Sequence, residues 1–301
     1  MHRNLSRLLL AITCVGLLTV GASLTPSYAA DDPIVIGSTN FPEQLVLAHI
    51  SADVLEARDI AVETRLNLGS REIVFPALKA GEIDVLPEYT GALLAYLTGG
   101  DATASKPQAM AAALQKALPD GIVRLQPAQA QDKDALVVTQ ATADKYNLRT
   151  ISDLQGAAAD MIIGGPPELK IRADGLPGLK KTYGLTFKQF RSLDAGGPLT
   201  VAALKSGDID IARMFSTQGI IDANGWVILQ DDKNLVPAQN IVAVVREDKL
   251  TDRIQQALDQ VAAKLTTADL QKLNNKVGVQ KQSPAKVATQ WVTANGLAGG
   301  Q

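Results

Sequence analysis

The chain has 301 residues, with 29 Lys or Arg and 31 Asp or Glu, so its formal net charge is −2 at neutral pH. This balance gives no reason to expect nucleic acid or an anionic membrane surface as a partner. With 1 cysteine and 2 histidines, the composition excludes an internal disulfide and a metal site built from several histidines.

The N-terminus has the pattern of a cleaved secretory signal. Arg3 and Arg7 precede an apolar stretch at 8–24, and the small residues Ser27 and Ala29 follow it. This arrangement favours a signal peptide spanning 1–29, cut after Ala29, over a membrane anchor. Without Arg3 and Arg7 the chain keeps 27 basic residues (29 − 2) against 31 acidic ones, a net charge of −4.

Removal of the signal also limits the chemistry that the mature chain can perform. Cys14 and His2 both lie within the signal, which leaves His49 as the remaining histidine and no thiol. A Ser-His-Asp triad would have to use His49, which sits inside an apolar helical pattern. We therefore expect no metal site, no cofactor and no enzyme activity.

The first half of the mature chain alternates strands and helices. Strands are predicted at 34–37, 62–68 and 83–86, and helices at 45–55, around 73–78 and after the sequence P-E-Y-T-G at 87–91. This order is typical of an α/β lobe with a largely parallel sheet. In such sheets ligands bind beyond the carboxyl ends of the strands, where the segments 38–44 and 88–91 fall.

A second series of elements follows. Strands are predicted at 135–139, 161–164, 187–193, 209–215 and 241–245, with helices around 176–183 and at 251–264, 266–276 and 284–295. We predict that residues 30–134 and 239–301 form a first lobe and that 135–238 are inserted into it as a second lobe. The two crossings between the lobes would then form a hinge.

A repeated sequence supports two lobes of similar build. Residues 77–85 read A-L-K-A-G-E-I-D-V, and residues 203–211 read A-L-K-S-G-D-I-D-I. Each copy predicts a helix that ends at a glycine and then a strand, because glycine accepts the positive φ that follows a helix end.

Each copy is followed at the same distance by an aromatic and then a hydroxyl residue. These are Tyr89 with Thr90, and Phe215 with Ser216. The two aromatics could face each other across a cleft, or both could belong to the core.

Five motifs carry a resemblance to a known family. They are N-F-P-E-Q at 40–44, G-E-I-D-V-L-P-E-Y-T-G at 81–91, P-E-L-K-I-R-A-D-G-L-P-G-L at 167–179, F-S-T-Q-G at 215–219 and V-V-R-E-D at 244–248. With them the chain resembles the substrate-binding proteins of ABC importers for glycine betaine, choline and related osmoprotectants. The resemblance implies a two-lobed type II periplasmic-binding-protein fold, with mostly parallel sheets flanked by helices and the ligand clamped between the lobes.

The resemblance also implies how the ligand is held. Family members enclose a quaternary ammonium in a box of aromatic rings, each worth about 0.5–2 kcal/mol. Tyr89 and Phe215 match two positions of this box, whereas Asp134 and Ala238 occupy two positions where further aromatics are expected. Arg172 matches the arginine that holds a ligand carboxylate.

Two further positions depart from the donors that some family members use for the carboxylate. Thr39 replaces a lysine, and Ala92 replaces a hydroxyl residue. These departures predict that choline, or another ligand without a carboxylate, binds better than glycine betaine.

The expected ligand-binding residues are Thr39, Asn40, Phe41, Tyr89, Thr90, Asp134, Arg172 and Phe215. Phe41 could instead pack against the start of the next helix, and Asp134 could instead lie on a solvated turn. The resemblance implies a monomeric periplasmic protein that delivers its ligand to the permease subunits of an ABC importer. The alternatives are the same role with an aromatic, uncharged or other amine ligand, and a secreted enzyme using Glu88, Asp134 or Arg172.

Overall fold

The computed structural model describes residues 32–100 and 106–299. The predicted signal peptide lies outside these ranges. No helix in the described ranges combines the length and the apolar character needed to cross a membrane.

The described chain is α/β. Its strands are β1 (Ile34–Gly37), β2 (Val62–Arg65), β3 (Val85–Tyr89), β4 (Ile122–Arg124), β5 (Asp134–Val138), β6 (Ile162–Gly165), β7 (Gln189–Ser192), β8 (Ile211–Phe215), β9 (Val227–Leu229) and β10 (Ile241–Arg246). Its α-helices are α1 (Pro42–Glu56), α2 (Arg71–Ala80), α3 (Thr90–Thr98), α4 (Pro107–Ala117), α5 (Gln140–Tyr146), α6 (Leu176–Tyr183), α7 (Pro198–Ser206), α8 (Gly219–Ala223), α9 (Asp252–Lys264), α10 (Thr267–Gly278) and α11 (Pro284–Ala294).

The strands form two five-stranded sheets with the same topology. The first has the order β2-β1-β3-β10-β4, and the second has the order β7-β6-β8-β5-β9. In each sheet the first three strands are parallel, and one strand, β10 or β5, runs antiparallel to both of its neighbours. That reversed strand is the one with which the chain enters the sheet from the other lobe.

The sequence repeat corresponds to equivalent positions in the two sheets. Gly81 and Gly207 end α2 and α7 with φ of 77° and 78°. The Asp84 carboxylate accepts a hydrogen bond from the N–H of Val35 at 2.9 Å. In the second sheet the Asp210 carboxylate accepts from the N–H of Ile162 at 2.7 Å. The repeated aspartate therefore satisfies a backbone donor at the start of each parallel ladder.

Strand β3 extends further than the sequence pattern predicts. Pro87 and Tyr89, expected in a turn after the strand, lie within it. Proline is tolerated there because β1 pairs with β3 at Val85, and the following part of β3 has β10 as its neighbour. The short strands β4 and β9 were not predicted, since three residues carry too little alternation to be recognised.

Each sheet has an apolar cluster on both faces. Around the first sheet, one cluster joins α1 to the three C-terminal helices, and the other lies beneath α2, α3 and α4. Trp291 of α11 is buried in the first of these clusters, and Tyr183 of α6 is buried in a cluster of the second sheet. The polar ends of the strands are thereby left to face the space between the lobes.

The two segments that connect the lobes pair with each other. Gln131 and Asn240 form an isolated antiparallel bridge, and the N–H of Asp132 donates to the carbonyl of Gln239 at 3.2 Å. Residues opposite each other in an antiparallel pair place their side chains on the same face. The hinge therefore presents Asp132 and Gln239 side by side.

Candidate functional site

A cavity lies between the two sheets, beside the hinge. Its lining combines aromatic, charged and polar side chains from both lobes. The lining residues are Thr39, Asn40, Phe41, Ser70, Arg71, Tyr89, Ala92, Asp132, Asp134, Pro166, Glu168, Arg172, Ala195, Arg213, Met214, Phe215 and Gln239. Seven of the eight residues expected from the sequence to bind ligand are in this set.

Three aromatic rings stack along one wall of the cavity. The ring centroid of Phe41 lies 4.4 Å from that of Phe215 and 6.2 Å from that of Tyr89, and both pairs are stacked. The equivalent positions of the repeat thus bring both Tyr89 and Phe215 against Phe41. Phe41 is the N-cap residue of α1, so the start of that helix fixes the position of the central ring.

Tyr89 is also anchored through its hydroxyl. Its ring lies at the end of β3, and its hydroxyl donates to the Glu43 carboxylate at 2.7 Å. Burial, and then the negative charge of Glu43, raise the pKa of Tyr89 well above its ordinary value. The phenol therefore remains neutral at physiological pH.

Two arginines that the sequence analysis did not identify line the cavity. Arg71, at the start of α2, makes a buried bidentate ion pair with Glu88, with Nε–Oε1 and Nη2–Oε2 distances of 2.7 and 2.8 Å. Glu88 also accepts the N–H of Tyr89. Glu88 is therefore committed to positioning Arg71 and the end of β3 and does not itself line the cavity.

Arg213 of β8 is the second arginine. It pairs with Asp134 at 2.7 Å and with Asp174 at 3.2 Å, yet its Nε is buried without a hydrogen-bond partner among the described residues. Burial alone would raise the pKa of Asp134, but the charge and hydrogen bond of Arg213 hold it below its ordinary value. Asp134 therefore lines the cavity as a carboxylate whose negative charge is neutralised by Arg213.

Arg172 bridges the two lobes at the edge of the cavity. It lies in the second lobe and makes two hydrogen bonds of 3.0 Å to Glu72 of α2 in the first lobe. Burial would raise the pKa of Glu72, but the hydrogen bonds and charge of Arg172 outweigh it and bring the pKa to about 2. Two of the hydrogen-bond donors of Arg172 are thus already used by a protein carboxylate.

The remaining expected residues are divided between the cavity and the hinge. Thr39 and Asn40 line the cavity, and the Thr39 hydroxyl is buried without a partner among the described residues. Thr90 does not line it. The Thr90 hydroxyl accepts from the N–H of Asn240 and donates to the carbonyl of Ala238, which fixes α3 to the hinge.

A buried pair of carboxyl groups lies beneath the aromatic wall. Glu43 accepts hydrogen bonds from Tyr89, Thr217 and Asn274, while Asp132 accepts from the N–H of Thr217. Burial raises the pKa of Glu43, although these hydrogen bonds oppose the shift. Burial, and then the charge of Glu43, raise the pKa of Asp132 well above its ordinary value.

A second, more apolar cavity lies on the other side of the Phe41–Phe215 stack, with about 1200 Å³ of empty space. The first cavity is the better ligand site. Four residues with unpartnered buried polar atoms line it, against Asp132 and Asn274 in the second, and it lies at the carboxyl ends of both β3 and β8. Of the buried side-chain atoms without partners, those of Thr39, Asp132, Arg213 and Gln239 belong to residues lining the first cavity. Such groups lose hydration without compensation unless a ligand or water supplies it.

Comparison with known proteins identifies the family. Residues 32–294 match the OpuAC family, described as the substrate binding domain of ABC-type glycine betaine transport systems. The glycine-betaine-binding protein of Pseudomonas aeruginosa is 28% identical over 301 residues, covering 96% of this chain and 94% of its own. The glycine betaine-binding protein YehZ of Escherichia coli is 29% identical, covering 93% of this chain and 96% of its own.

A solved structure shares the fold. The crystal structure of a glycine betaine/carnitine/choline ABC transporter protein has a TM-score of 0.69 and 27% identity, and the match covers 88% of this chain and 99% of the other. The chain therefore belongs to the OpuAC family of ABC-transporter substrate-binding proteins. The fold expected from the sequence, a two-lobed type II periplasmic-binding-protein fold, is confirmed.

Proposed function

We propose that this protein binds a small quaternary ammonium compound of the glycine betaine, carnitine or choline class in the cavity beside the hinge. The single observation that carries the proposal is the juxtaposition of stacked rings with arginine and amide donors in one inter-lobe cavity. A methylated cation favours aromatic faces, whereas a carboxylate favours arginine.

The aromatic wall supplies the cation site. Phe41 stacks on both Tyr89 and Phe215, with its ring 4.4 Å from that of Phe215. A trimethylammonium group would bind against the exposed faces of these rings or displace Phe41. Each ring in contact with the cation adds about 0.5–2 kcal/mol of binding free energy. The third ring, Phe41, therefore compensates in part for the aromatics that are missing from the box at Asp134 and Ala238.

The arginines change the expectation for a ligand carboxylate. From the sequence, carboxylate-free ligands are favoured, because Arg172 is the one arginine at an expected binding position and other donors are replaced. Arg71 and Arg213 also line the cavity, and the Nε of Arg213 is an unused buried donor. Because Arg213 balances Asp134, the latter does not leave an uncompensated negative charge to repel a carboxylate. A zwitterionic ligand is therefore as compatible with the cavity as a simple cation.

We further infer that the chain delivers its ligand to the permease of an ABC importer from the periplasm, as a monomer, after loss of its signal peptide. The family to which it belongs supports the transport role. We also infer that it is not an enzyme. Of the carboxylates that an enzyme could use, Glu88 is paired with Arg71 and does not line the cavity, and Asp134 is paired with Arg213.

Isothermal titration calorimetry with glycine betaine, carnitine and choline tests this function. At least one of the three should bind with a stoichiometry of about one. The Phe215→Ala variant, with a native circular dichroism spectrum, should weaken that binding by about 1–3 kcal/mol through lost ring contacts. Absence of binding by all three compounds at millimolar concentration would contradict the proposed ligand class.

A further inference from the structure

The hinge presents two adjacent polar groups that the ligand class alone does not explain. Asp132 and Gln239 face the cavity from the paired connecting segments and are 3% and 1% exposed, respectively. The Nε2 atom of Gln239 has no hydrogen-bond partner among the described residues. The Oδ2 atom of Asp132 receives no N–H or hydroxyl there, although the Asp132 carboxyl is hydrogen-bonded to that of Glu43. Neither a trimethylammonium group nor an aromatic ring can provide one.

The protein fixes which atom of each side chain remains available. The Oε1 atom of Gln239 accepts the N–H of Ala92 at 2.8 Å, which leaves its Nε2 donor unused. The Oδ1 atom of Asp132 accepts the N–H of Thr217 and the hydroxyl of Ser216, both at 3.1 Å, which leaves Oδ2. The backbone hydrogen bond between Asp132 and Gln239 holds the two side chains next to each other.

We propose that Asp132 and Gln239 together bind a hydroxyl group of the ligand, an inference that rests on the proposed ligand class. A hydroxyl can accept from the Gln239 amide and at the same time donate to the Asp132 carboxylate. If Oδ2 carries a proton, the same hydroxyl accepts from both groups. An ammonium N–H would leave Gln239 without an acceptor. An ionised Asp132 would repel a ligand carboxylate, whereas a protonated Asp132 and Gln239 would both donate to it, so the test compares ligands that differ by the hydroxyl alone.

This assignment divides the ligand class into two groups. Choline and carnitine carry a hydroxyl, whereas glycine betaine does not. A site whose buried polar groups are paired by a ligand hydroxyl rejects the analogue that lacks it, because those groups are then desolvated without a partner. The hinge pair would therefore favour hydroxylated quaternary ammonium compounds.

Two matched ligand pairs test the assignment in the wild-type protein. Choline is compared with ethyltrimethylammonium, and carnitine with 4-(trimethylammonio)butanoate, so that each pair differs by one hydroxyl. We expect the hydroxylated member to bind about tenfold or more tightly in at least one pair. Equal affinities within both pairs would overturn this inference and leave the proposed function standing. Binding of none of the four would overturn both.

A variant of Gln239 then tests whether the hinge is responsible for the preference for the hydroxylated ligand. Gln239→Met removes the Nε2 donor at similar side-chain length, and the affinity ratio within each pair should fall to about threefold or less. The ratio cancels any structural damage that affects both ligands equally. Gln131→Met, the same change at a hinge position that does not line the cavity, is the control and should keep the wild-type ratio. A wild-type ratio in Gln239→Met would overturn the assignment.

Discussion

Arg172 of the second lobe and Glu72 of the first form a bidentate ion pair, with Nε–Oε1 and Nη2–Oε2 both at 3.0 Å. The pair joins the lobes at the edge of the cavity and is separate from the connecting segments, which pair at Gln131 and Asn240. It therefore acts on the relative position of the lobes as well as on the charge of the cavity.

We expect Glu72→Gln to favour the open arrangement of the lobes. Both side chains of the pair are about one-third exposed, so the loss is modest, about 0.5–1 kcal/mol. Small-angle scattering of the ligand-free variant should give a larger radius of gyration than the wild type. The control is Glu63→Gln, which removes an exposed pair with Arg65 within β2 and should leave the profile unchanged. If both variants gave the wild-type scattering profile, the Arg172–Glu72 pair would not hold the lobes together.

The same ion pair has a defined pH dependence. The pKa of Glu72 is about 2, below its ordinary value of 4.5. Its contribution to stability is therefore complete above about pH 4.5 and is lost as the pH falls toward 2. The difference in unfolding free energy between wild type and Glu72→Gln should shrink over this interval in urea titrations. A difference that stays constant down to pH 2 would contradict the pairing.

The two roles of Tyr89 can be separated by two substitutions. Tyr89→Phe keeps the ring but removes the hydroxyl that donates to Glu43, so the free energy of unfolding should fall by about 1–2 kcal/mol with little change in ligand affinity. Tyr89→Ala removes the ring as well and should weaken ligand binding by about 1–3 kcal/mol. If Tyr89→Ala bound ligand as the wild type does, Tyr89 would be excluded from the site.

The buried carboxyl pair should make the protein less stable as the pH rises. The pKa values of Glu43 and Asp132 are raised above their ordinary values of 4.5 and 3.8, chiefly by burial. Between the ordinary and the raised values the folded state holds more protons than the unfolded state, so the free energy of unfolding falls with increasing pH.

Asp132→Asn tests this prediction because it removes one charge and keeps an oxygen to accept from Thr217. Relative to the wild type, the variant should gain stability at pH 8 and lose that advantage on acidification to pH 5. Chemical denaturation at both pH values measures the difference. If the free energies of unfolding of wild type and variant changed with pH in parallel, burial of Asp132 would not destabilise the folded protein at high pH.

The sequence repeat predicts similar costs at its two glycines. Both have φ near +78°, a conformation that costs other residues about 1–2 kcal/mol. A Cβ at Gly81 would meet Nη1 of Arg246, the end of a flexible and partly exposed side chain that can move aside, and a Cβ at Gly207 would meet nothing within 4 Å. Gly81→Ala and Gly207→Ala should therefore lower the melting temperature by similar amounts. A much larger loss in Gly81→Ala would mean that the position of Arg246 is itself important for stability.

The sequence predicted the fold and one wall of the cavity because both depend on local patterns. Repeated helix–glycine–strand units placed Tyr89 and Phe215 at equivalent strand ends, and the structure brings Phe41 against both. Thr90, expected at the ligand, is instead hydrogen-bonded to the hinge.

The polar groups of the cavity were harder to predict, because their partners are distant in sequence. Arg213 lies inside an apolar strand, and its partner Asp134 is on the neighbouring strand. Asp132 and Gln239 become neighbours when the two connecting segments pair. No periodicity along the chain encodes these contacts, since the first arises from strand pairing within the second sheet and the second from the pairing of the connecting segments.

The most direct test of the account is a crystal structure with the tightest-binding ligand of the quaternary ammonium panel. We predict that its cationic group contacts the rings of Tyr89 and Phe215 and that its polar groups face Arg213 and the hinge residue Gln239. A ligand bound in the apolar cavity behind the Phe41–Phe215 stack, or outside the space between the lobes, would contradict it.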